Sequence, residues 1–264
     1  MALAQRVLST LTVASVGLTC KAVLSTGLCS VKVTGLDHLL NALQANNGRG
    51  VVTVANHIST LDDPLTWGIL PARFYFSSRT TRWSLGASDI MFTNPVFSTF
   101  FRLGQTIETF RGQGIYQKAV DAAIHKVENG GWVHLFGEGK VNQPQTYPID
   151  FEGLARLPRF KWGAGRILIE TSHNLPTVIP MWLTGYERLM PEGRAFPYKY
   201  LPRFGTNLGV TFGDPIPPEV LLEAMACQPD DKDEARMRVT ALLHDRVEDL
   251  GRTMSDNPSR LTTN

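Results

Sequence analysis

Short apolar runs separated by turn-forming residues recur along the chain, and each run is typical of a buried strand. Six runs are predicted as strands: residues 51–55, 74–76, 105–110, 132–136, 177–182 and 208–212. Between them, apolar positions at helical spacing predict helices, one beginning near Asp63 and others over residues 95–103, 115–128 and 162–172. A last amphipathic helix is predicted to stop at Gly251. Its apolar face consists of Val239, Leu243, Val247 and Leu250.

The order of these elements predicts the fold class. Strands and helices alternate without an internal repeat or a linker, which is typical of an α/β fold. We expect a single domain in which a mixed, mostly buried β-sheet is flanked by helices. Residues 37–254 are assigned to this domain and residues 255–264 to a flexible polar tail.

Residues 1–36 differ from the rest because no acidic residue precedes Asp37 and the apolar content is high. Three interpretations are open: a helix packed on the protein's own core, a cleaved targeting sequence, and a helix lying in one membrane leaflet with Lys21 reaching the headgroups. Lys21 interrupts the run of about 20 apolar residues that a spanning helix needs. We favour a membrane-associating segment over residues 1–36.

Composition excludes several classes of protein. The chain has 264 residues, of which 43% are hydrophobic, too few for a polytopic membrane protein. Its 26 basic and 24 acidic residues give a net charge of +2, which argues against a nucleic-acid-binding protein. Cys20, Cys29 and Cys227 are far apart and form neither a zinc motif nor a disulfide framework.

The first candidate for chemistry is a histidine that follows the predicted strand 51–55. His57 precedes Asp62 by five positions, a spacing that would separate the two side chains on one continuous helix. If His57 lies in a loop and Asp62 at a helix start, the carboxylate can bind one ring nitrogen and leave the other as a general base. The alternative is that both residues only cap neighbouring elements.

Two further candidates follow other predicted strands. Gly137, Glu138, Gly139 and Lys140 form a glycine-rich turn whose N–H groups could face an oxyanion, with Glu138 binding a ligand hydroxyl or holding the loop. Arg111 follows the strand 105–110 and could hold a phosphate. In isolation, an ordinary glycine turn and a surface arginine are the favoured explanations of these residues.

Taken in order along the chain, these motifs resemble the glycerophospholipid acyltransferase family. The pattern consists of His-x4-Asp, a strand followed by Arg-Gly, a strand followed by Phe-x-Glu-Gly, and a strand containing Pro180. It extends over residues 51–217 and is most similar to the family's mitochondrial phospholipid–lysophospholipid transacylases. Gly137 stands where the family usually has proline, and we expect it to make the loop more flexible.

The resemblance implies roles for the candidate residues. His57 and Asp62 would be catalytic, and Arg111, Gly137, Glu138, Gly139 and Lys140 would bind substrate. It also implies direct acyl transfer between phospholipids without CoA, with cardiolipin and monolysocardiolipin as substrates. No metal or other cofactor is required, and no nucleic-acid partner is expected.

The implied location is a mitochondrial membrane, on the intermembrane-space face, with monotopic attachment. A homo-oligomer is left open. An acyl-CoA-dependent lysophospholipid acyltransferase is the alternative activity, and a membrane-bound scaffold without activity is the non-enzymatic one.

Overall fold

Seven strands form one sheet in the computed structural model, which describes residues 3–45, 47–226 and 231–256. In chain order they are β1 Ser30–Thr34, β2 Val51–Ala55, β3 Arg82–Ala87, β4 Thr106–Thr109, β5 Trp132–Phe136, β6 Thr177–Thr184 and β7 Asn207–Phe212. Their spatial order is β1-β7-β6-β2-β5-β3-β4, and every pair is parallel except β6 with β7. The expected mixed, mostly buried sheet in an α/β fold is confirmed.

Helices cover both faces of this sheet. They are α1 Leu3–Ser25, α2 Leu36–Gln44, α3 Asp62–Thr66, α4 Ser88–Met91, α5 Pro95–Leu103, α6 Lys118–Glu128, α7 Gly163–Glu170, α8 Tyr186–Leu189, α9 Pro218–Met225 and α10 Lys232–Asp256. α1 packs near α3 and α5, whereas α10 and α6 pack against α7. The helices predicted over residues 95–103, 115–128 and 162–172 correspond to α5, α6 and α7.

One predicted strand is wrong. Residues 74–76 belong to a 3₁₀ turn, Ala72–Phe76, in which Phe74 and Tyr75 are buried and the Tyr75 hydroxyl donates to the Leu70 carbonyl. A short apolar run cannot by itself distinguish a strand from a buried turn. The strand of this region is β3, which the pattern did not reveal because it mixes arginine, serine and glycine with its apolar residues.

The prediction that Gly251 ends the last helix is also wrong, because α10 continues to Asp256. A Cβ atom at Gly251 would lie 2.6 Å from the Trp182 ring, so the glycine allows close packing of helix on sheet. Val239, Leu243 and Val247 are fully buried, as their spacing predicts. Of the predicted flexible tail, 255–264, the first two residues end α10 and residues 257–264 lie outside the described residues.

α1 has one packed side and one exposed apolar side. Its length and composition alone would allow it to cross a membrane. Val13, Ala14 and Gly17 are buried against the domain. The exposed side is formed by Leu3, Val7, Leu8, Leu11 and Leu18.

Lys21 does not extend away from the protein, as the leaflet interpretation assumed. Its ammonium group donates to the Leu70 carbonyl at 3.0 Å. The predicted membrane-associating segment, residues 1–36, also includes β1, which pairs with β7 at the edge of the sheet.

The parallel strands direct their carboxyl ends to one edge of the sheet. All five residues of β2 are buried, which matches its continuous apolar sequence, and β2 lies between β5 and β6. The loops after β2, β4 and β5 therefore leave from the same edge, and they carry the candidate residues. In open α/β sheets this edge is where ligands bind.

Candidate active site

The predicted contact between His57 and Asp62 is present. The loop after β2 turns back at α3, so that His57 Nδ1 lies 3.0 Å from Asp62 Oδ2. The same oxygen accepts the N–H groups of Ile58 at 2.6 Å and Ser59 at 2.9 Å. Asp62 is buried, and burial raises the pKa of its carboxyl group, although the hydrogen bond from His57 opposes this rise. Three donors on one oxygen fix the carboxylate, which in turn orients the imidazole.

The His57 ring is held on its face as well as at its edge. It stacks on Phe136, the last residue of β5, with ring centroids 4.0 Å apart and planes inclined by 16°. One fifth of the side chain remains exposed, and Nε2 has no hydrogen bond to any residue that the structure describes. With Nδ1 donating to Asp62, Nε2 is available as a base at the sheet edge.

The loop after β5 holds the backbone of His57 from both sides. Glu138 Oε1 accepts the His57 N–H at 2.8 Å, and the Asn142 N–H donates to the His57 carbonyl at 2.7 Å. The Asn142 side chain also donates to Glu138 Oε2. Glu138 is only 2% exposed. Of its two expected roles, the geometry favours holding the loop over binding a ligand hydroxyl.

Burial raises the pKa of Glu138 from 4.5 to about 7, although hydrogen bonds from His57 and Asn142 favour the charged form. Because the carboxyl group is more acidic in the unfolded chain, its contribution to stability is complete below pH 4.5 and is lost as the pH rises through 7. We expect the unfolding free energy of the wild type, minus that of Glu138→Gln, to fall by about 3 kcal/mol between pH 4.5 and 8. Urea unfolding at a series of pH values measures this difference.

The matched control for this pH series is Glu219→Gln, which changes an exposed carboxylate in the first turn of α9. A difference between the wild type and Glu138→Gln that stays constant with pH, or follows that of the control, would contradict the prediction.

The sequence predicts a more flexible loop at Gly137, but the structure shows a tightly packed position. It is buried, and a Cβ atom there would lie 2.3 Å from the Phe160 ring. Its N–H donates to the Ala55 carbonyl at 3.4 Å, and the Gly139 N–H donates to the Phe136 carbonyl at 3.1 Å. Both amides are thus engaged within the protein, and in this conformation neither is free to face an oxyanion.

Arg111 and Lys140 lie at the same sheet edge but do not join the His57 cluster. Arg111 is exposed and pairs with Asp89 at 3.2 Å. It follows β4, three strand positions from β2, which corresponds to about 14 Å at ordinary strand spacing. Lys140 is exposed two residues after Glu138. Both cations lie around the site, and neither is in contact with His57 or Asp62 in the described structure.

A buried histidine that sequence reasoning did not single out lies beneath this site. His134 Nδ1 is 2.8 Å from Thr53 Oγ1, which also accepts the indole N–H of Trp132. Burial lowers the pKa of His134 to about 3, so the ring is neutral. It packs edge-on against Phe136 and supports the ring on which His57 stacks. The feature that identifies His134 is its pairing with Thr53 across β2 and β5, and this register is visible only once the sheet is known.

Three buried polar atoms near Asp62 have no hydrogen-bond partner in the described part of the chain: Asp62 Oδ1, Tyr147 Oη and Glu187 Oε2. Burial raises the pKa of Tyr147, and the carboxylates of Glu138, Asp62 and Glu187 raise it further. Within residues 3–45, 47–226 and 231–256, no group of three or more His, Cys, Asp or Glu side chains is placed to hold a metal ion.

Comparison with known proteins identifies the class. The family model described as Acyltransferase matches residues 30–184, more than half of the chain. The solved structure of the 1-acyl-sn-glycerophosphate acyltransferase PlsC from Thermotoga maritima superposes with a TM-score of 0.54 at 19% identity, covering 90% of this chain and 79% of that one. The chain therefore belongs to the acyltransferase family, and the predicted enzyme class is confirmed.

Three curated relatives show which members of the acyltransferase family this chain is similar to. Tafazzin of Dictyostelium discoideum is 40% identical over 76% of this chain and 67% of its own length, and tafazzin of Drosophila melanogaster is 37% identical over 80% and 52%. The N-acylphosphatidylethanolamine synthase of Arabidopsis thaliana is 39% identical over 70% and 62%. The chain thus spans about half to two thirds of their lengths. The resemblance predicted from the motifs is confirmed, because tafazzins are among the curated relatives that this chain matches.

Proposed function

We propose that this chain is a phospholipid–lysophospholipid transacylase that moves acyl chains directly, without CoA. The observation that carries acyl transfer is the His57–Asp62 contact at the carboxyl edge of the sheet, with Nε2 of the imidazole unbound. This is a base and its orienting carboxylate without a hydrogen-bonded serine or cysteine nucleophile in the described residues. The nucleophile is then the free hydroxyl of a lysophospholipid. Similarity to tafazzins supports transfer without CoA.

The proposed step balances without an energy source. His57 Nε2 takes the proton of the glycerol hydroxyl while that oxygen attacks the ester carbonyl of the donor phospholipid. When the tetrahedral intermediate collapses, the bond to the donor's glycerol oxygen breaks and Nε2 returns its proton to that oxygen. One ester replaces another, the donor becomes a lysophospholipid, and the same base serves the reverse reaction. Asp62 stabilises the imidazolium formed in between.

The substrates proposed are glycerophospholipids, among them cardiolipin and monolysocardiolipin, and the proposed location is a mitochondrial membrane, with monotopic attachment at its intermembrane-space face. Similarity to tafazzins supports both choices. The exposed apolar side of α1 supports contact with lipid. Arg111 and Lys140 are proposed to attract headgroup phosphates at the rim of the site.

The decisive experiment is acyl exchange in the absence of CoA. Purified protein is incubated with monolysocardiolipin and with phosphatidylcholine that carries an isotopically labelled chain. We expect label in cardiolipin and an equal amount of lysophosphatidylcholine. Transfer that appears only when acyl-CoA is added would overturn the proposal and establish the acyl-CoA-dependent alternative.

A parallel incubation replaces monolysocardiolipin with phosphatidylethanolamine as the acceptor. The relative whose name specifies N-acylphosphatidylethanolamine is as similar as the tafazzins, so this acceptor is the appropriate comparison. If phosphatidylethanolamine became labelled on its nitrogen while monolysocardiolipin received no label in the first incubation, the acceptor would be an amine and not the hydroxyl proposed here.

A further inference from the structure

An unusually exposed aromatic loop, which we define as residues 194–205, follows α8. Residues 195–201 are all exposed. Phe196, Tyr198 and Tyr200 are 76%, 64% and 65% exposed, and Phe204 is about half exposed. Phe196 and Tyr200 contact each other edge to face, with centroids 6.4 Å apart. Four largely solvated aromatic rings in one short segment indicate a surface that is covered by something else.

The charge of the aromatic loop has a single sign. It contains Arg194, Lys199 and Arg203 and no acidic residue. Among the residues that the structure describes, no carboxylate pairs with Lys199 or Arg203, although the Lys199 ammonium lies 4.9 Å from the centre of the Tyr200 ring. Tyrosine rings together with unpaired cations suit the interface of an anionic bilayer, where the rings enter the headgroup layer and the cations meet phosphates.

Hydrogen bonds near its two ends place the aromatic loop between the segment that follows α1 and the candidate active site. At its end, the Gly205 N–H donates to the Leu28 carbonyl at 2.6 Å, just after α1. At its root, the Gln143 side chain donates to the carbonyls of Met190 and Ile58. Ile58 is the residue after His57. The loop therefore lies between the segment that follows α1 at one end and the loop that carries His57 at the other.

We propose that the aromatic loop is a second membrane-contact surface, which binds anionic phospholipid headgroups beside the site. It extends the proposed membrane attachment beyond α1 and, as a binding event, it is independent of acyl transfer. Its occupant is a lipid surface rather than a protein, because rings and cations alternate with no acid among them and because the loop is hydrogen-bonded to the segment just after α1, the helix whose own apolar side is exposed.

The test compares two charge-matched double variants in the His57→Ala background, so that lipids are not converted. Lys199→Gln with Arg203→Gln removes two cations of the aromatic loop. Arg49→Gln with Arg246→Gln removes two exposed cations, one just before β2, at the opposite edge of the sheet, and one on α10, which packs against α7. Sedimentation with phosphatidylcholine vesicles, with and without phosphatidylglycerol, measures partitioning over a series of salt concentrations. Circular dichroism checks that each variant is folded.

We expect the loop variant to bind the anionic vesicles about 30-fold more weakly than the control variant, which corresponds to about fivefold for each cation removed. Its binding should also depend less on salt than that of the control variant. Binding to neutral vesicles should be equal. Phe196→Ser with Tyr200→Ser should weaken binding to both kinds of vesicle. Equal binding of the two charge variants to anionic vesicles would overturn the proposal. So would a wild-type dimer that the loop variant converts to monomer while vesicle binding stays unchanged.

Discussion

Replacing His57 with alanine is expected to reduce acyl exchange by about 10²- to 10⁴-fold. The substitution removes the group whose unbound ring nitrogen, oriented by Asp62, takes the hydroxyl proton in the proposed step. Because the ring is partly exposed and its backbone is held by Glu138 and Asn142, the loop should keep its conformation. Initial rates of label transfer into cardiolipin measure the effect.

The control for this variant is His173→Ala. His173 is exposed just before β6, at the opposite edge of the sheet. The control should exchange acyl chains like the wild type, and both variants should sediment with vesicles as the wild type does. If the His57 variant retained its exchange rate, the base would have to be another group, and the proposed step would be wrong.

Two replacements of Asp62 should distinguish its effect on the acyl-exchange rate from its effect on the free energy of unfolding. The side-chain amide introduced by Asp62→Asn can still present one oxygen to the N–H groups of Ile58 and Ser59, but it carries no charge to stabilise an imidazolium. Alanine removes the acceptor altogether and leaves those buried donors unpaired. We expect exchange to fall about 10²- to 10⁴-fold in both variants. The unfolding free energy should fall by about 2–5 kcal/mol in Asp62→Ala and by less in Asp62→Asn.

Exchange rates and urea unfolding curves, measured on the same preparations, test the Asp62 prediction. Asp249→Asn, an exposed carboxylate on α10, is the control and should change neither quantity. If Asp62→Asn exchanged acyl chains at the wild-type rate, the carboxylate would serve only as a structural link, and the alternative that it merely holds the helix start would be correct.

The sequence could predict the central strands and the contact between His57 and Asp62 for a physical reason. β2 and β5 are covered on both sides, so they need a continuous apolar composition, which is visible without a structure. The His57–Asp62 contact is also local, because one turn of loop and the start of α3 bring the two side chains together.

What the sequence could not predict depends on contacts between distant segments. Glu138 binds the N–H of His57, 81 positions away in the chain, only because β5 pairs with β2. The sequence favours a helix end at Gly251, because the packing partner that explains this glycine, Trp182, lies on another element. β1 was missed because an edge strand is only partly buried and its mixed sequence does not stand out after an apolar segment.

α1 is fastened to the domain at three levels along its length. Near its start, the Ser9 hydroxyl donates to the Leu103 carbonyl; in its middle, Gly17 lies so close to Tyr75 that a Cβ atom would be 2.7 Å from the ring; near its end, Lys21 donates to Leu70. A helix held in this way cannot cross a bilayer unless these contacts break. If the proposed transacylase attaches to a membrane in this way, it would take its substrates from one monolayer only. The change in acyl composition would then remain in that monolayer until lipids moved across the bilayer by themselves.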